Sequence, residues 1–200
     1  INNFVEKDRI VTVKGLAEME VPANKVTWPL MYKEVGNDLT VLYNRINATN
    51  IAIVDFLKKK GITEEEISIN APEIIDMQAE RYVGENKTYR YNVTTVITVT
   101  SAKVDLVRSL ISEQSELLKQ GIAITGGDYR YQIQYDYTSL NEIKPKMIEE
   151  ATKNAREAAL KFAKDSDSEL GKIRRASQGQ FSIDNRDANT PYIKRIRVVT

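Results

Sequence analysis

A long alanine-rich segment in the last third of the chain constrains the fold more than any other feature. After Asn141, apolar side chains recur at steps of three or four residues, which is the spacing of one face of an α-helix. The stripe consists of Ile143, Met147, Ala151, Ala155, Ala158 and Phe162. Because alanine is small, this helix can lie closer to a neighbour than a leucine-faced helix could. The pattern predicts a helix that packs on a sheet of its own domain, with an oligomer contact as the alternative.

The segment after this helix is predicted to turn and then to extend. Gly171 can adopt a left-handed or tight-turn conformation, and residues 172–182 are predicted to form a strand. This strand and the final strand have basic ends, formed by Lys172, Arg174, Arg175, Lys194, Arg195 and Arg197. Such side chains either meet an acidic surface on another subunit or protect an exposed sheet edge from unwanted pairing.

The rest of the chain alternates strands with helices. Further strands are predicted over residues 9–20, 25–34, 67–81, 89–100, 122–138 and 192–200, and helices over residues 38–60 and 103–120. The full order is β-β-α-β-β-α-β-α-β-β. It indicates an α+β fold with three helices and mixed or mostly antiparallel sheet layers. Stretches 25–79 and 89–137 share one plan, so they are two related βαβ-like halves or two independent uses of a common unit.

A few residues within these elements carry local expectations. Gly15 indicates a bulge or a close backbone approach, and Pro29 indicates an edge position or an irregularity in its strand. Asn50 falls within the apolar stripe of the first helix, where a buried amide needs hydrogen-bond partners. Residues 84–87 are predicted to form a turn.

Composition and charge narrow the class of protein. The chain has 200 residues, 42% hydrophobic and 28% charged, which is typical of a globular domain. We expect a single domain over residues 9–200, which stops midway through its last strand. Residues 1–8 would then be a tail that follows a removed leader or membrane anchor. No apolar run is long enough to cross a bilayer. The net charge of +1 argues against a nucleic-acid partner.

The sequence contains neither cysteine nor histidine. These absences exclude disulfides, thiol catalysis, the commonest general base and the commonest ligand of transition metals. They exclude most of the mechanisms that hydrolases, oxidoreductases and zinc enzymes use. We therefore expect a protein that is not an enzyme and needs no cofactor.

A tyrosine-rich segment is the candidate ligand or interface site. If residues 129–137 form a strand, one of its faces carries Tyr129, Tyr131, Tyr135 and Tyr137, and a neighbouring strand extends that face with Tyr89 and Tyr91. Tyrosine combines an apolar ring with a polar tip, so such a face suits a sugar or a partner subunit. The alternative is a sheet face that is covered by the helices.

Acidic residues near the carboxyl end form a weaker candidate. Asp184 and Asp187 supply oxygens of the kind that calcium binds, but their spacing lacks the glycine and terminal glutamate of a calcium loop. Asp165, Asp167 and Glu169 form a similar cluster. Solvated turns explain both groups, and no metal site is predicted.

Several motifs, taken in their order along the chain, resemble the SIMPL-domain family, a bacterial domain of unknown function found in YggE-like and periplasmic immunogenic proteins. They are Ile10–Gly15 followed by Val21–Asn24, Leu57–Ile62, Leu170–Ile173 after the alanine helix, and Ile196–Thr200. Two segments depart from the family pattern. Ala23-Asn24 stands where relatives carry a second proline and an aspartate, and residues 165–168 replace a more apolar segment.

The resemblance implies an exported protein of the periplasm or cell envelope, forming homo-oligomers and linked to stress protection, and it offers no catalytic residues. The first functional hypothesis is therefore a non-enzymatic envelope protein that works by self-assembly or by binding a partner. The second is a small-ligand or glycan-binding module built on the tyrosine-rich segment. An enzyme that uses carboxylates or a divalent metal is the third.

Overall fold

A computed structural model of the protein describes residues 9–79 and 89–200. The predicted tail 1–8 and the predicted turn 84–87 lie outside these residues. The elements are β1 (Leu16–Pro22), β2 (Lys25–Gly36), α1 (Leu39–Lys59), β3 (Ile67–Ile69), β4 (Glu73–Asp76), β5 (Tyr91–Ser101), α2 (Val104–Ser112), α3 (Ser115–Lys119), β6 (Gln134–Asp136), α4 (Leu140–Asp165), β7 (Ser182–Asn185) and β8 (Ile193–Val199). The strand pairs formed by these elements are antiparallel, and the predicted α+β class and order are confirmed. β3 and β4 together occupy one predicted strand, and α2 and α3 together occupy one predicted helix.

The chain divides into two compact units. Among the described residues, one unit contains residues 9–22 together with Tyr137–Thr200, and the other lies within Ala23–Asp136. The sheet of the second unit has the order β3-β5-β2-β6, with β4 also paired to β5. The last strand of each predicted half therefore pairs with the first strand of the other half. This is the β-α-β-β-α-β arrangement of ferredoxin-like domains, and it places the two halves in equivalent positions.

The two halves also end their helical segments in the same way. Gly61 and Gly121 both have a positive φ, of 104° and 81°, which glycine adopts without steric cost. In each case the next residue, Ile62 or Ile122, donates its backbone N–H to the carbonyl five residues earlier at 3.0 Å. This bonding pattern closes the helix end and buries the isoleucine, so the repeated Gly-Ile pair is a genuine structural signature.

One face of the second unit's sheet forms its core. Trp28 and Leu30 of β2 lie opposite Val99 and Ile97 of β5, and these four side chains are buried. The helices contribute further buried side chains, which include Leu42, Ile53, Leu57, Val107, Leu110 and Leu117. On this face the Tyr32 hydroxyl lies 2.5 Å from Asn50 Oδ1, so the amide of Asn50 has the partner that its position requires.

The first unit is a three-stranded sheet, ordered β1-β8-β7, with α4 packed on it. Its core consists of Ala17, Met147, Ala151, Ile196 and Val198. The alanine helix therefore packs on a sheet of its own unit, as predicted. Gly15 lies directly against the backbone of this helix, which confirms the predicted close approach.

The predicted stripe of α4 is correct at Met147 and Ala151 but wrong in the last turns. The buried positions continue through Ala159 and Ala163, whereas Phe162 is 58% exposed. Steps of four residues keep the buried side chains on one face, while the step of three after Ala155 turns the predicted stripe away from it.

Two predicted strands are much shorter than expected. Residues 122–138 contain only β6, because the Asp128 side chain accepts the Arg130 N–H and starts a 3-10 turn, Tyr129–Tyr131. Such local side-chain bonds compete with strand pairing. The predicted strand 172–182 is also wrong in its position. The strand forms later in the chain, as β7, whose residues pair with Lys194–Arg197 after a short loop. This short loop closes at lower entropic cost than a longer one would.

Proline positions explain two further details. The predicted strand 67–81 is interrupted between β3 and β4, where Pro72 has no N–H to donate. Within β2, pairing with β6 ends at Thr27, and the next bridge on that side joins Met31 to Thr125. Pro29 lies in the gap between them, which confirms the predicted irregularity.

Candidate functional site

β4 lies at one edge of the second unit's sheet. β4 pairs with β5 on one side, and no strand in residues 9–79 or 89–200 pairs with its other side. Ile74 and Ile75 are 54% and 47% exposed, and Ile69 of the neighbouring β3 is exposed as well. We call residues Glu73–Asp76 the β4 edge. It offers unpaired backbone groups, two apolar side chains and two carboxylates to a partner.

Two of the predicted site tyrosines lie at the β4 edge. The Tyr131 hydroxyl donates to Glu73 Oε1 at 3.3 Å, and Tyr91 is the strand partner of Asp76. The Arg90 guanidinium lies 5.0 Å from the centre of the Tyr91 ring and forms an ion pair with Asp76 at 3.1 Å. Hydrogen bonds from Arg90 hold the pKa of Asp76 below its usual value, so this carboxylate stays charged at neutral pH.

The other predicted tyrosines do not share a face with these two. Tyr129 is in the 3-10 turn and 83% exposed, whereas Tyr135 is in β6 and buried. Tyr137 belongs to the other unit and packs against its core. The expected row of four tyrosines on one strand is therefore wrong, since residues 129–137 do not form one strand. Ligand binding by these tyrosines stays a prediction.

A second open feature lies in the first unit, between α4 and β7. Residues 169–180 form neither helix nor strand, and all of them are exposed. Ile173 is the most exposed of the apolar side chains there, at 76%. Lys172, Arg174 and Arg175 flank it, so residues 170–175 form what we call the basic segment. Connections of this length without secondary structure are uncommon in compact domains and are often functional.

The most strongly perturbed carboxylate of the described residues is Glu66, and its role is structural. It accepts hydrogen bonds from the Thr63 N–H at 3.0 Å, from Lys103 Nζ at 2.9 Å and from the Ser101 hydroxyl. Burial raises the pKa of Glu66, but these bonds outweigh it and lower the pKa to about 2. These hydrogen bonds join the turn that precedes β3 to the end of β5. A carboxylate so fixed and so acidic is poorly suited to proton transfer near neutral pH.

Neither acidic cluster named in the sequence forms a metal site. Asp187 accepts the backbone N–H groups of Asn189 and Thr190 and so closes a turn, while Asp184 lies in β7. Across residues 9–79 and 89–200, no group of three or more aspartate and glutamate side chains is placed to hold a metal ion.

The second unit also has an open groove of about 390 Å³ between α1 and α3. Its lining includes Ile51, Phe56 and Lys60, and no tyrosine takes part. Lys60 forms ion pairs with Glu113 at 3.1 Å and Glu116 at 3.2 Å. Two of the charged side chains that line the groove, Lys60 and Glu116, are thus engaged with each other, which leaves them less available to orient a small ligand.

The β4 edge was missed in the sequence, although a signal for it exists. Ile74 and Ile75 are adjacent, and neighbouring side chains of a strand point to opposite faces. A short strand that carries Glu73 and Asp76 around two adjacent isoleucines therefore exposes at least one apolar side chain unless both faces are covered.

Comparison with known proteins gives a family but no activity. The model of the SIMPL family, described as a protein of unknown function (DUF541), matches residues 11–195. No curated protein matches the chain. Among the described residues, no helix combines the length and the apolar character that are needed to cross a membrane.

Proposed function

We propose that this chain, which belongs to the SIMPL family, is a non-enzymatic protein that works by assembling with further copies of itself. The observation that carries the proposal is the β4 edge. A strand with an open backbone edge and exposed isoleucines is a template for pairing with another chain, and its two carboxylates limit which chains can pair there.

The chemistry of the side chains supports the non-enzymatic part of the proposal. The sequence has no histidine or cysteine, and Glu66 is committed to hydrogen bonds within the fold. Export to the bacterial periplasm or envelope, and a role there in stress protection, belong to the same proposal. They rest on the family resemblance rather than on geometry. Fractionation of bacterial cells tests the location, and recovery of the protein in the cytoplasm alone would contradict it.

The molar mass in solution tests the assembly itself. Light scattering over a wide range of protein concentrations is expected to give a multimer that dissociates on dilution. Replacing Ile75 with glutamate puts a charge at an exposed apolar position of the β4 edge, and we expect this variant to have a lower mass at equal concentration. Ile51→Glu, on α1, is a matched control because Ile51 is similarly exposed, at 54% against 47% for Ile75. A monomer at all concentrations would overturn the proposal.

Binding of a small ligand or glycan is the alternative function. It draws less support from the structure than from the sequence, because the tyrosines do not share one face. A thermal shift with soluble oligosaccharides that disappears in Tyr129→Ala or Tyr131→Ala would favour this alternative.

A further inference from the structure

We propose that the basic segment of one copy adds as an antiparallel strand to the β4 edge of a second copy. This inference rests on the proposed function, because it names the surfaces through which the chain assembles. The occupant of the β4 edge is therefore residues 170–175, Leu-Gly-Lys-Ile-Arg-Arg, of another molecule.

The acceptor has what strand addition requires. The outer side of β4 lacks a strand partner among the described residues, and its exposed side chains are Glu73, Ile74 and Ile75. Main-chain hydrogen bonds supply affinity in this mode of recognition, and alternate side chains supply specificity. The edge is acidic at both ends, through Glu73 and through Asp76, which also pairs with Arg90, and it is apolar in the middle. It therefore suits a strand that has basic residues at both ends and an apolar residue between them.

The donor has the complementary pattern. Lys172 precedes Ile173, Arg174 and Arg175 follow it, and these four side chains are exposed. Residues 170–173 form no backbone hydrogen bond with the part of the chain that the structure describes, so their N–H and C=O groups are open to a partner. The segment is already out of helix and out of sheet, which reduces the rearrangement needed for it to pair.

One antiparallel register makes two pairs of opposite charge and one apolar pair. It places Glu73 opposite Arg175, Ile75 opposite Ile173, and Asp76 opposite Lys172, and it leaves Ile74 opposite Arg174. Opposite charges and apolar pairs directly across an antiparallel ladder stabilise it. A shift by one residue in either direction loses the Asp76–Lys172 pair and keeps at most one pair of opposite charge and one apolar pair. A shift also moves each side chain to the other face of the sheet, so the register is well specified.

Donor and acceptor are different surfaces, located in different units of the chain. Each copy can therefore both give and receive a strand. Two copies that exchange strands reciprocally form a symmetric dimer. Copies that give to one neighbour and receive from another make heterologous contacts, which build a closed ring or an open filament.

Cysteine pairing tests the register directly, since the natural chain contains no cysteine. Two single variants, Ile75→Cys and Ile173→Cys, are mixed and oxidised gently. Residues directly opposite in an antiparallel pair have Cα atoms about 4.5–5.5 Å apart, within the range that a disulfide spans. The mixture is expected to give a cross-linked pair of copies, each single variant alone to give far less, and the control pair Ile75→Cys with Phe162→Cys to give only background. Phe162 is also exposed, at 58%.

A charge exchange distinguishes this contact from assembly through another surface. Arg175→Glu is expected to raise the dissociation concentration several-fold, and Glu73→Arg in the same chain to restore assembly. Arg156→Glu changes the net charge equally on the exposed side of α4 and is expected to have little effect. If the protein is a multimer but the cysteine pair does not cross-link and the exchange does not restore assembly, this contact is wrong while the proposed function stands. If the protein is a monomer, both fail.

Discussion

A Cβ atom added to Gly15 would lie 1.9 Å from the carbonyl oxygen of Ala151 and 2.4 Å from the backbone nitrogen of Ala155. The chain leading into β1 therefore touches the backbone of α4, with no room for a side chain between them. The contact depends on both elements, because Gly15 has no Cβ and the helix presents alanines at this point. It extends the core that joins α4 to the sheet of the first unit.

Gly15→Ala is expected to destabilise the protein. The neighbouring atoms are backbone, which cannot move aside by changing rotamer, so the sheet must shift away from α4. Overpacking of this kind typically costs about 1–3 kcal/mol, and the absence of any flexible neighbour places this substitution at the upper end, about 3 kcal/mol. Urea unfolding followed by circular dichroism measures the change.

Gly126→Ala is the control for this substitution, because nothing lies within 4 Å of an added Cβ there and its φ is not in the left-handed region. We expect it to change the free energy of unfolding by less than about 1 kcal/mol. Equal midpoints for the two variants would show that the close approach of Gly15 to α4 does not matter for stability.

Glu66→Gln is expected to destabilise the protein most strongly near neutral pH. The carboxylate accepts hydrogen bonds from Ser101, Thr63 and Lys103, and bonds to a charged group are worth about 1.5–3 kcal/mol each. Glutamine keeps the shape but not the charge, and it cannot accept from all three donors. A loss of about 2 kcal/mol is expected from chemical unfolding, with Glu65→Gln, an exposed neighbour, as the control.

The sign of the pH dependence follows from the lowered pKa of Glu66. The pKa of about 2 in the folded protein is below the ordinary value of 4.5, so the folded state holds this proton less tightly than the unfolded state. The stabilisation is present above pH 4.5 and is lost as the pH falls from 4.5 towards 2, by up to about 1.4 kcal/mol per pH unit. The natural protein and Glu66→Gln should therefore converge in stability over this window. A difference that stays constant would contradict the assignment.

Tyr32→Phe tests the link between β2 and α1. The Tyr32 hydroxyl lies 2.5 Å from Asn50 Oδ1 and 3.1 Å from the Ile46 carbonyl oxygen, and its removal leaves the amide short of a partner. A loss of about 1 kcal/mol is expected at neutral pH. Tyr43→Phe, on the exposed side of α1, is the matched control, since Tyr43 is 67% exposed.

Alkaline pH gives a second, independent reading of Tyr32. Burial raises its pKa from 10.0 to about 12, so the folded state keeps this proton when the unfolded state has lost it. The resulting stabilisation is fully present below pH 10 and is lost as the pH rises from 10 towards 12. Unfolding curves across this range should show the natural protein losing stability faster than Tyr32→Phe. Parallel losses would indicate that Tyr32 ionises as readily as an exposed tyrosine.

Features that depend on local chemistry were predictable from the sequence. The Gly-Ile helix ends at Gly61 and Gly121, the interruption at Pro29 and the close approach at Gly15 each follow from one residue's backbone properties. Which strands pair with each other was harder to predict, since pairing depends on segments that are distant in the sequence. The sequence of residues 122–138 does not show that Asp128 will start a turn rather than continue a strand, because the alternating side chains after it are compatible with either structure.

The candidate site was only partly predictable for the same reason. Tyr91 and Tyr131 were identified as candidates, but the sequence placed them on neighbouring strands of one sheet face. In the structure, Tyr91 is the strand partner of Asp76 in β4, and the Tyr131 hydroxyl bonds to Glu73 of β4. The exposure of Ile74 and Ile75 depends on which other elements pack against β4, and the sequence of one strand does not show this. In α4, the adjacent residues Ala158 and Ala159 are equally apolar, so only the packed structure decides which one is buried.

Added salt is expected to weaken assembly through the β4 edge. The proposed register joins two pairs of opposite charge, the exposed pair Glu73 with Arg175 and the pair of half-buried Asp76, which also holds Arg90, with Lys172. Exposed pairs contribute up to about 1 kcal/mol each. The screening length falls from about 10 Å at 0.1 M salt to about 3 Å at 1 M, so most of this contribution is lost. Light scattering in sodium chloride should show the dissociation concentration rising roughly fivefold, since 1 kcal/mol corresponds to about that factor. The charge-exchanged protein, Glu73→Arg with Arg175→Glu, should respond in the same way, because the pair is kept. Assembly that is unchanged or tighter in salt would mean that the copies meet through an apolar surface instead.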